Sequence, residues 1–109
     1  MKDAVFIDAA RDEVPAFPDD VRREAGYQIF RLQNGEEPTD WKPMPSVGQG
    51  VREIRIHEAG EFRIIYVAKF EEAIYVLHGF QKKSQRTPKS NIELARKRYR
   101  ALIATRKQS

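Results

Sequence analysis

Cysteine is absent from all 109 positions of the sequence, and histidine occurs only at His57 and His78. The absence of cysteine excludes disulfide bonds, thiolate zinc sites, iron–sulfur clusters and a cysteine nucleophile. With only two histidines, a transition-metal site would depend mainly on carboxylates. We therefore expect a protein that uses no metal and no small-molecule cofactor.

Long hydrophobic runs are also missing. The sequence opens with MKDAVFIDAARDEV, where acidic residues interrupt a short apolar run, so this segment is neither a secretory signal nor a membrane span. The motifs GxxxxGK[ST], GxGxxG, GxSxG and HExxH do not occur. We expect a soluble cytoplasmic protein that makes no contact with a membrane.

The composition is typical of a folded domain, with 40% hydrophobic and 33% charged residues. The length matches the common size of one domain, so we expect a single domain over residues 1–109. Surface scaling indicates that roughly two-thirds of the unfolded chain's surface is buried on folding.

Charge is distributed unevenly along the chain. Residues 1–40 carry a net charge of −5, residues 41–80 are neutral, and residues 81–109 carry +9. The basic C-terminal quarter suits phosphate groups, acidic proteins or an anionic membrane, and it also fits a solvated helix face. Composition alone leaves these alternatives open.

The first half of the sequence predicts a strand and a helix, followed by a long loop. The strand covers Ala4–Asp8, and the helix follows Pro18 and ends before Asn34. Residues 36–50 contain three prolines and two glycines, which exclude regular structure from most of this interval. We expect an ordered loop with Trp41 and Met44 as its anchors.

The second half predicts three strands and a final helix. The strands cover Val51–His57, Glu61–Val67 and Ala73–Gln81, and their short connections favour an antiparallel meander. Ser90 and Glu93 form a capping box, which predicts the start of a helix with one apolar and one cationic face.

Charged residues alternate with apolar residues in the first two strands of the meander. A three-residue loop at 58–60 sets Arg55 directly opposite Arg63, and Glu53 falls on the same face because side chains alternate with a period of two. The apolar residues must then face the helices, so we expect these three charged residues on an open face. They form either a surface ion-pair cluster or a phosphate-binding floor.

A basic segment follows the last predicted strand. Lys82 and Lys83 lie at its start and are candidate site residues at the edge of the predicted open face. Further cations that could attract phosphate groups are found at Arg86, Lys89, Arg96, Lys97 and Arg100.

The histidines and tyrosines are less informative. We interpret His57 as a solvated residue near a turn. A five-residue loop at 68–72 sets His78 across from Phe62 as a buried histidine, whereas a loop one residue shorter would turn it toward Arg63. Tyrosines that could stack on bases also fit apolar stripes, so the core is the preferred interpretation for Tyr66, Tyr75 and Tyr99.

The order and spacing of several segments resemble the RelE/ParE superfamily of bacterial toxins, and within it the HigB-like, phage-derived branch. The segments are WKPM at 41–44, GQGVREIR at 48–55, FRIIY at 62–66, YVLHGFQKK at 75–83, Thr87-Pro88, and a helix with Ala95, Arg98 and Tyr99. The resemblance covers roughly residues 20–105.

The resemblance implies a small α+β fold with a mostly antiparallel sheet, helices packed on one face and a concave cationic site on the other. It also implies a toxin of a type II toxin–antitoxin system that cleaves mRNA on the ribosome, and whose partner is a helix-turn-helix antitoxin. Arg63 matches the arginine of a family strand motif, and Arg55 and Glu53 match polar positions of the preceding strand. Lys82 and Lys83 match the basic end of the last strand, where many relatives carry an arginine or histidine. With an mRNA substrate implied, RNA contacts are expected from Arg86, Lys89, Arg96, Lys97 and Arg100.

Such a site would cleave RNA without a metal. Arg55 and Arg63 would stabilise the charge of the pentacoordinate phosphate. Lys82 or Lys83 would transfer a proton, because neighbouring cations lower the pKa of a lysine, and Glu53 is either an alternative base or a group that orients an arginine. A non-catalytic RNA-binding or gyrase-inhibiting toxin of the same fold is the alternative, because a fold does not determine a function.

Overall fold

Five strands form one sheet in the computed structural model, which describes residues 1–107. The strands are β1 (Asp3–Phe6), β2 (Trp41–Pro43), β3 (Val51–Ile56), β4 (Phe62–Val67) and β5 (Ala73–Gln81). Their order across the sheet is β1-β5-β4-β3-β2, in which β1 runs parallel to β5 and all other neighbours are antiparallel. The helices are α1 (Ala10–Glu13), α2 (Asp19–Gln33) and α3 (Lys89–Lys107). The predicted α+β class and the antiparallel meander are confirmed.

Two short elements differ from the sequence-based expectations. Helix α1 has only four residues, too few to show a helical period. Strand β2 lies within the interval that was expected to be a loop, and it contains Pro43. Since β2 is at the edge of the sheet, the missing proline N–H is tolerated there. The predicted anchors are confirmed: Met44 is buried, and the Arg52 guanidinium lies 4.1 Å from the centre of the Trp41 ring.

The two long helices begin close to their predicted starts. Helix α2 begins directly after Pro18, which precedes two acidic residues in the first turn. Helix α3 begins at Lys89, and the Pro88 carbonyl accepts hydrogen bonds from the amides of Asn91 and Ile92. Ser90 therefore lies inside the first turn of α3 and is not the residue that caps it.

Both faces of the sheet bury apolar side chains. Helices α1 and α2 pack on one face, in a core cluster that includes Ile54, Ile64 and Tyr66. Helix α3 packs on the other face, where Ala95 joins a second cluster around Ile65, Val67 and Leu77. All six residues of β4 are buried, so the sheet needs cover on both sides. The prediction that the helices pack on one face therefore holds for α1 and α2, whereas α3 covers part of the opposite face.

A β-bulge between Ile65 and Tyr66 changes the register of β4 against β5. Ile65 pairs with His78, but Tyr66 pairs with Val76, so Leu77 is the extra residue. His78 therefore lies on the α3 side of the sheet, and the prediction that it lies across from Phe62 is wrong. The side chain of His78 is buried, as expected.

No helix within residues 1–107 is long and apolar enough to cross a membrane.

Candidate functional site

Strands β3 and β4 bring three charged residues together on the α3 side of the sheet. Arg55 is directly opposite Arg63, as the length of the connecting turn predicts, and Glu53 lies two residues before Arg55 on the same face. We name Glu53, Arg55 and Arg63 the charged cluster. Its members are the predicted catalytic residues that the structure places side by side.

The charged cluster is not an open surface. Glu53 is 0% exposed and Arg63 is 2% exposed, while Arg55 is half-buried. Lys42 on β2 pairs with Glu53, and Phe80 on β5 pairs with Arg63, so cross-strand neighbours cover the centre of the cluster. The prediction of an open face is therefore wrong at Glu53 and Arg63.

Glu53 is a buried carboxylate among cations. The Nζ of Lys42 lies 3.8 Å from its Oε1, and the Nε of Arg63 lies 3.5 Å from the same oxygen. Neither carboxylate oxygen has a hydrogen bond to any residue in the described range 1–107. Burial raises the pKa of Glu53, although Lys42, Arg63, Arg55 and Lys82 oppose this shift. These surroundings suit a group that accepts a proton.

Arg63 already has partners on the protein. Its Nη1 donates to the carbonyl of Phe62 at 3.0 Å, and its Nη2 donates to Glu61 Oε1 at 3.0 Å. Its Nε has no hydrogen bond to a described residue. Arg63 therefore holds the neighbouring carboxylates in place, and a phosphate could contact it only after a rearrangement.

His57 extends the charged cluster toward solvent. Its Nδ1 lies 2.8 Å from Glu61 Oε1, and its Nε2 lies 2.5 Å from Asp40 Oδ2. Hydrogen bonds to Asp40 and Glu61 raise the pKa of His57, because both carboxylates favour the charged ring. The side chain is 45% exposed, so the interpretation as a residue near solvent holds, but its two ion pairs were not expected. Glu61 is close to His57 in the sequence, whereas Asp40 comes from the segment before β2.

Lys82 and Lys83 lie directly after β5, as predicted. Lys82 is half-buried, and its Nζ donates to the carbonyl of Gln85 at 2.6 Å. The backbone amide of Lys82 donates to the carbonyl of Glu61, which places this lysine next to the charged cluster. Lys83 is exposed and forms no hydrogen bond or ion pair with the residues that the structure describes. It is the more accessible proton donor of the two.

The cations predicted to contact RNA have different surroundings. Exposed side chains are found at Arg86, Lys89, Lys97 and Arg100. Arg96 instead donates to the carbonyl of Ser46 through Nε at 3.0 Å and Nη2 at 2.5 Å, which ties α3 to the loop after β2. Its first role is therefore structural.

A second buried charged group was missed by the sequence analysis. Arg98 on α3 donates from Nη1 to Glu13 Oε1 at 2.9 Å and from Nη2 to Glu13 Oε2 at 3.0 Å. The ring of His78 lies between Glu13 and Asn91, at 2.9 and 2.6 Å. Burial opposes ionisation of Glu13, but hydrogen bonds from Arg98, the Gly79 amide and His78 outweigh it and lower its pKa. This group joins α1, β5 and α3. Along the chain, Glu13 is 65 positions from His78 and 85 positions from Arg98, so a local pattern does not reveal these contacts.

Other sites offer little that suits the predicted chemistry. A cleft of about 710 Å³ lies at the opposite end of the central strands, lined by residues that include Lys2, Glu36, Arg52 and Lys69. No group of three or more side chains that could hold a metal ion is found within residues 1–107. The charged cluster therefore carries the candidate chemistry.

The strand order, the helices and the charged cluster define a small α+β protein with an architecture consistent with the RelE-like fold. The family model for phage-derived Gp49-like proteins matches residues 12–100, and the chain belongs to this family, one of RelE and toxin-like proteins. No curated protein matches the sequence. The resemblance to the toxin superfamily is thus supported at the level of the family.

Proposed function

We propose that the chain is a toxin of a type II toxin–antitoxin system, from the HigB-like branch, and that it cleaves mRNA on the ribosome. A helix-turn-helix antitoxin is its proposed protein partner. The observation that carries this proposal is Glu53, a buried carboxylate with a raised pKa and no hydrogen bond, placed beside Arg55, Arg63 and Lys42. A proton acceptor surrounded by cations suits the cleavage of a phosphodiester by its own 2′-hydroxyl.

The proposed reaction needs no metal. Glu53 is fully buried in the free protein, so the cluster must rearrange around the RNA before this carboxylate takes the proton of the 2′-hydroxyl. The 2′-oxygen then forms a bond to phosphorus while the bond to the 5′-oxygen breaks. Arg55, the half-buried arginine of the cluster, stabilises the charge on the phosphate, and Lys83 or Lys82 gives a proton to the leaving 5′-oxygen. The products are a 2′,3′-cyclic phosphate and a 5′-hydroxyl.

Arg63 and the ribosome supply positioning. Arg63 lies 3.5 Å from Glu53 and favours its ionised form, and it moves to the phosphate only if Glu61 releases it. The surface around the cluster is small, so the ribosome would align the mRNA with the site. This requirement explains why the proposed activity depends on translation.

A non-catalytic toxin of the same fold is the second candidate. The observation that favours it is the burial of Glu53 and Arg63, which leaves Lys83, Arg86 and Lys97 as accessible cations. Such a surface would bind RNA or gyrase by charge without cleaving a bond.

Induced expression without an antitoxin separates the two candidates. We expect the wild-type chain to arrest bacterial growth and to produce mRNA cuts that disappear when translation is blocked. Glu53→Gln should reduce cleavage by about 100-fold or more, the effect expected on losing a general base. Glu58→Gln is the matched control, because Glu58 is exposed in the adjoining turn. An RNA ligase that joins only cyclic phosphate ends should capture the cut termini.

Three results would contradict the proposal. Growth arrest with intact mRNA would support the non-catalytic candidate. Undiminished cleavage by Glu53→Gln, at equal soluble expression, would remove Glu53 from the mechanism. Products with 5′-phosphate and 3′-hydroxyl ends would refute attack by the 2′-hydroxyl, because an activated water gives linear phosphate ends.

A further inference from the structure

The carboxylate of Glu61 sits between two cationic donors. Its Oε1 is 2.8 Å from His57 Nδ1 and 3.0 Å from Arg63 Nη2. Hydrogen bonds from His57 and Arg63 hold the pKa of Glu61 below its ordinary value, so this side chain is an anion at neutral pH. The His57 ring, when protonated, and the Arg63 guanidinium converge on one oxygen and so form an anion-binding position.

We propose that Glu61 occupies a phosphate-binding position, and that a phosphate group displaces it to bind His57 and Arg63. The identification of the phosphate as part of an RNA rests on the proposed function. The site would accept inorganic phosphate by the same chemistry. Glu61 then acts as an internal competitor that keeps the free protein from binding phosphate strongly.

The location of Glu61 allows this displacement. Its side chain is 43% exposed and lies just before β4, whereas Glu53 is fully buried within β3. A side chain at this position can rotate into solvent without disturbing the sheet. Glu53 cannot leave in this way, so only one of the two carboxylates next to Arg63 is exchangeable.

The neighbouring charged cluster is rich in cationic groups, which favours a phosphate over a carboxylate at this position. The Nε atoms of Arg63 and Arg55 are buried and have no hydrogen bond to any residue of the described chain. The two arginines face each other across β3 and β4. A phosphate has more charge and more acceptor oxygens than a carboxylate, so it can bind His57 and Arg63 together and compete with Glu61 for them.

Asp40 keeps the second donor in place. Its Oδ2 binds His57 Nε2 at 2.5 Å, on the side of the ring away from Glu61. The ring therefore stays oriented, with Nδ1 directed at the anion position, after Glu61 has moved. The charged groups that face His57 are thus Asp40 and Glu61, with Arg63 beyond Glu61.

Titration of the isolated protein with inorganic phosphate tests the proposal, with the NMR signals of the His57 ring as the readout. Glu61→Gln removes the competing charge and keeps the shape of the side chain, so it should bind phosphate at least fivefold more tightly than wild type. Glu58→Gln removes the same charge from the exposed turn and should bind no more than twofold more tightly. The double variant Glu61→Gln with His57→Asn has no His57 ring, so its binding is followed through the backbone amide signals, and it should lose the gain in phosphate affinity.

Two outcomes would overturn the proposal: an equal gain for Glu61→Gln and Glu58→Gln, or no response of the His57 ring to phosphate in Glu61→Gln. Glu61→Ala serves as a second variant, and amide spectra report whether each variant is folded. A 2′-deoxy oligonucleotide, which cannot be cleaved, should show the same order of affinities as phosphate if the natural ligand is a nucleic acid. Neither titration uses a ribosome or a cleavage step, so failure of the proposed function would be seen separately.

Discussion

At the scale of single residues, Glu53 shows two opposed effects. Its burial favours the protonated carboxyl, whereas Lys42, Arg63 and Arg55 favour the carboxylate. The pKa is raised, so burial is the larger effect. A buried carboxyl without a hydrogen bond destabilises a fold, which agrees with a residue kept for chemistry.

The raised pKa of Glu53 predicts how stability depends on pH. The folded state binds the Glu53 proton more strongly than the unfolded state does. The stabilisation that this proton gives to the folded state is therefore fully present below the ordinary pKa of about 4.5. It is lost as pH rises through the higher pKa of the folded state. Wild type should therefore lose more unfolding free energy between pH 5 and pH 8 than Glu53→Gln, measured by urea denaturation. A steeper loss in the variant would mean that burial does not dominate.

The sequence predicted which residues form the charged cluster but not their burial. The turn length set Arg55 opposite Arg63, and the period of two placed Glu53 beside them. Their burial depends on Lys42 and Phe80, which come from strands on either side. Lys42 belongs to a strand that the sequence did not predict, and the pairing of Phe80 depends on the bulge in the β4–β5 register, so a local pattern encodes neither. The ion pair between Asp40 and His57 is not encoded locally either.

At the scale of elements, α1 is held by its contacts and not by its own helical preference. A helix of four residues is too short to be stable alone. Glu13 joins it to Arg98 of α3 and accepts a hydrogen bond from the Gly79 amide of β5 at 3.1 Å. Gly79 itself lets α1 come close, because a Cβ there would lie 2.7 Å from Val14 Cγ2.

Removing the charge of Glu13 should therefore weaken the connection between three elements. We expect Glu13→Gln to lower the free energy of unfolding by about 3 kcal/mol, because the buried Arg98 would lose its hydrogen-bonded carboxylate and keep only the weaker ion pair to Asp8, 3.7 Å from its Nε. The exposed neighbour Asp12 provides the control, and Asp12→Asn should change stability by less than about 0.5 kcal/mol. Chemical denaturation of both variants at pH 7 provides the comparison. Equal stabilities would show that the group does not hold α1 in place.

Long periodic elements could be read from the sequence, and irregular ones could not. The apolar stripe of α2 and the runs of Ile, Val, Tyr and Phe in β3 to β5 extend over enough residues to be recognised. The bulge at Ile65 and Tyr66 depends on the packing of both sheet faces, so it reversed the predicted side of His78.

At the scale of the whole molecule, opposite charges lie on opposite faces of the sheet. The acidic first 40 residues supply α1 and α2, and the basic last 29 supply α3. The charged cluster is on the same side as α3. The basic side would attract a polyanion and orient it toward the cluster, while the acidic side would face away.

Salt dependence of RNA binding tests this arrangement. Lys97→Gln with Arg100→Gln should reduce the slope of log affinity against log salt by about 0.7 per lost phosphate contact, as expected for a single strand. Stability should not change, because both side chains are exposed. Arg96→Gln should instead lower stability by about 1 kcal/mol, since it loses the bonds to Ser46. An unchanged slope in the double variant would place RNA elsewhere.

The parallel pairing of β1 with β5 affects the order in which the chain can fold during its synthesis. Asp3 pairs with Ala73, so the first strand leaves the ribosome long before its partner exists. Arg98, which completes the group around Glu13, is made later still. Pairings of such long sequence separation slow folding. A nascent chain of this protein therefore cannot complete its fold until almost all of it has been made, because β1 and Glu13 both wait for partners from the second half of the sequence.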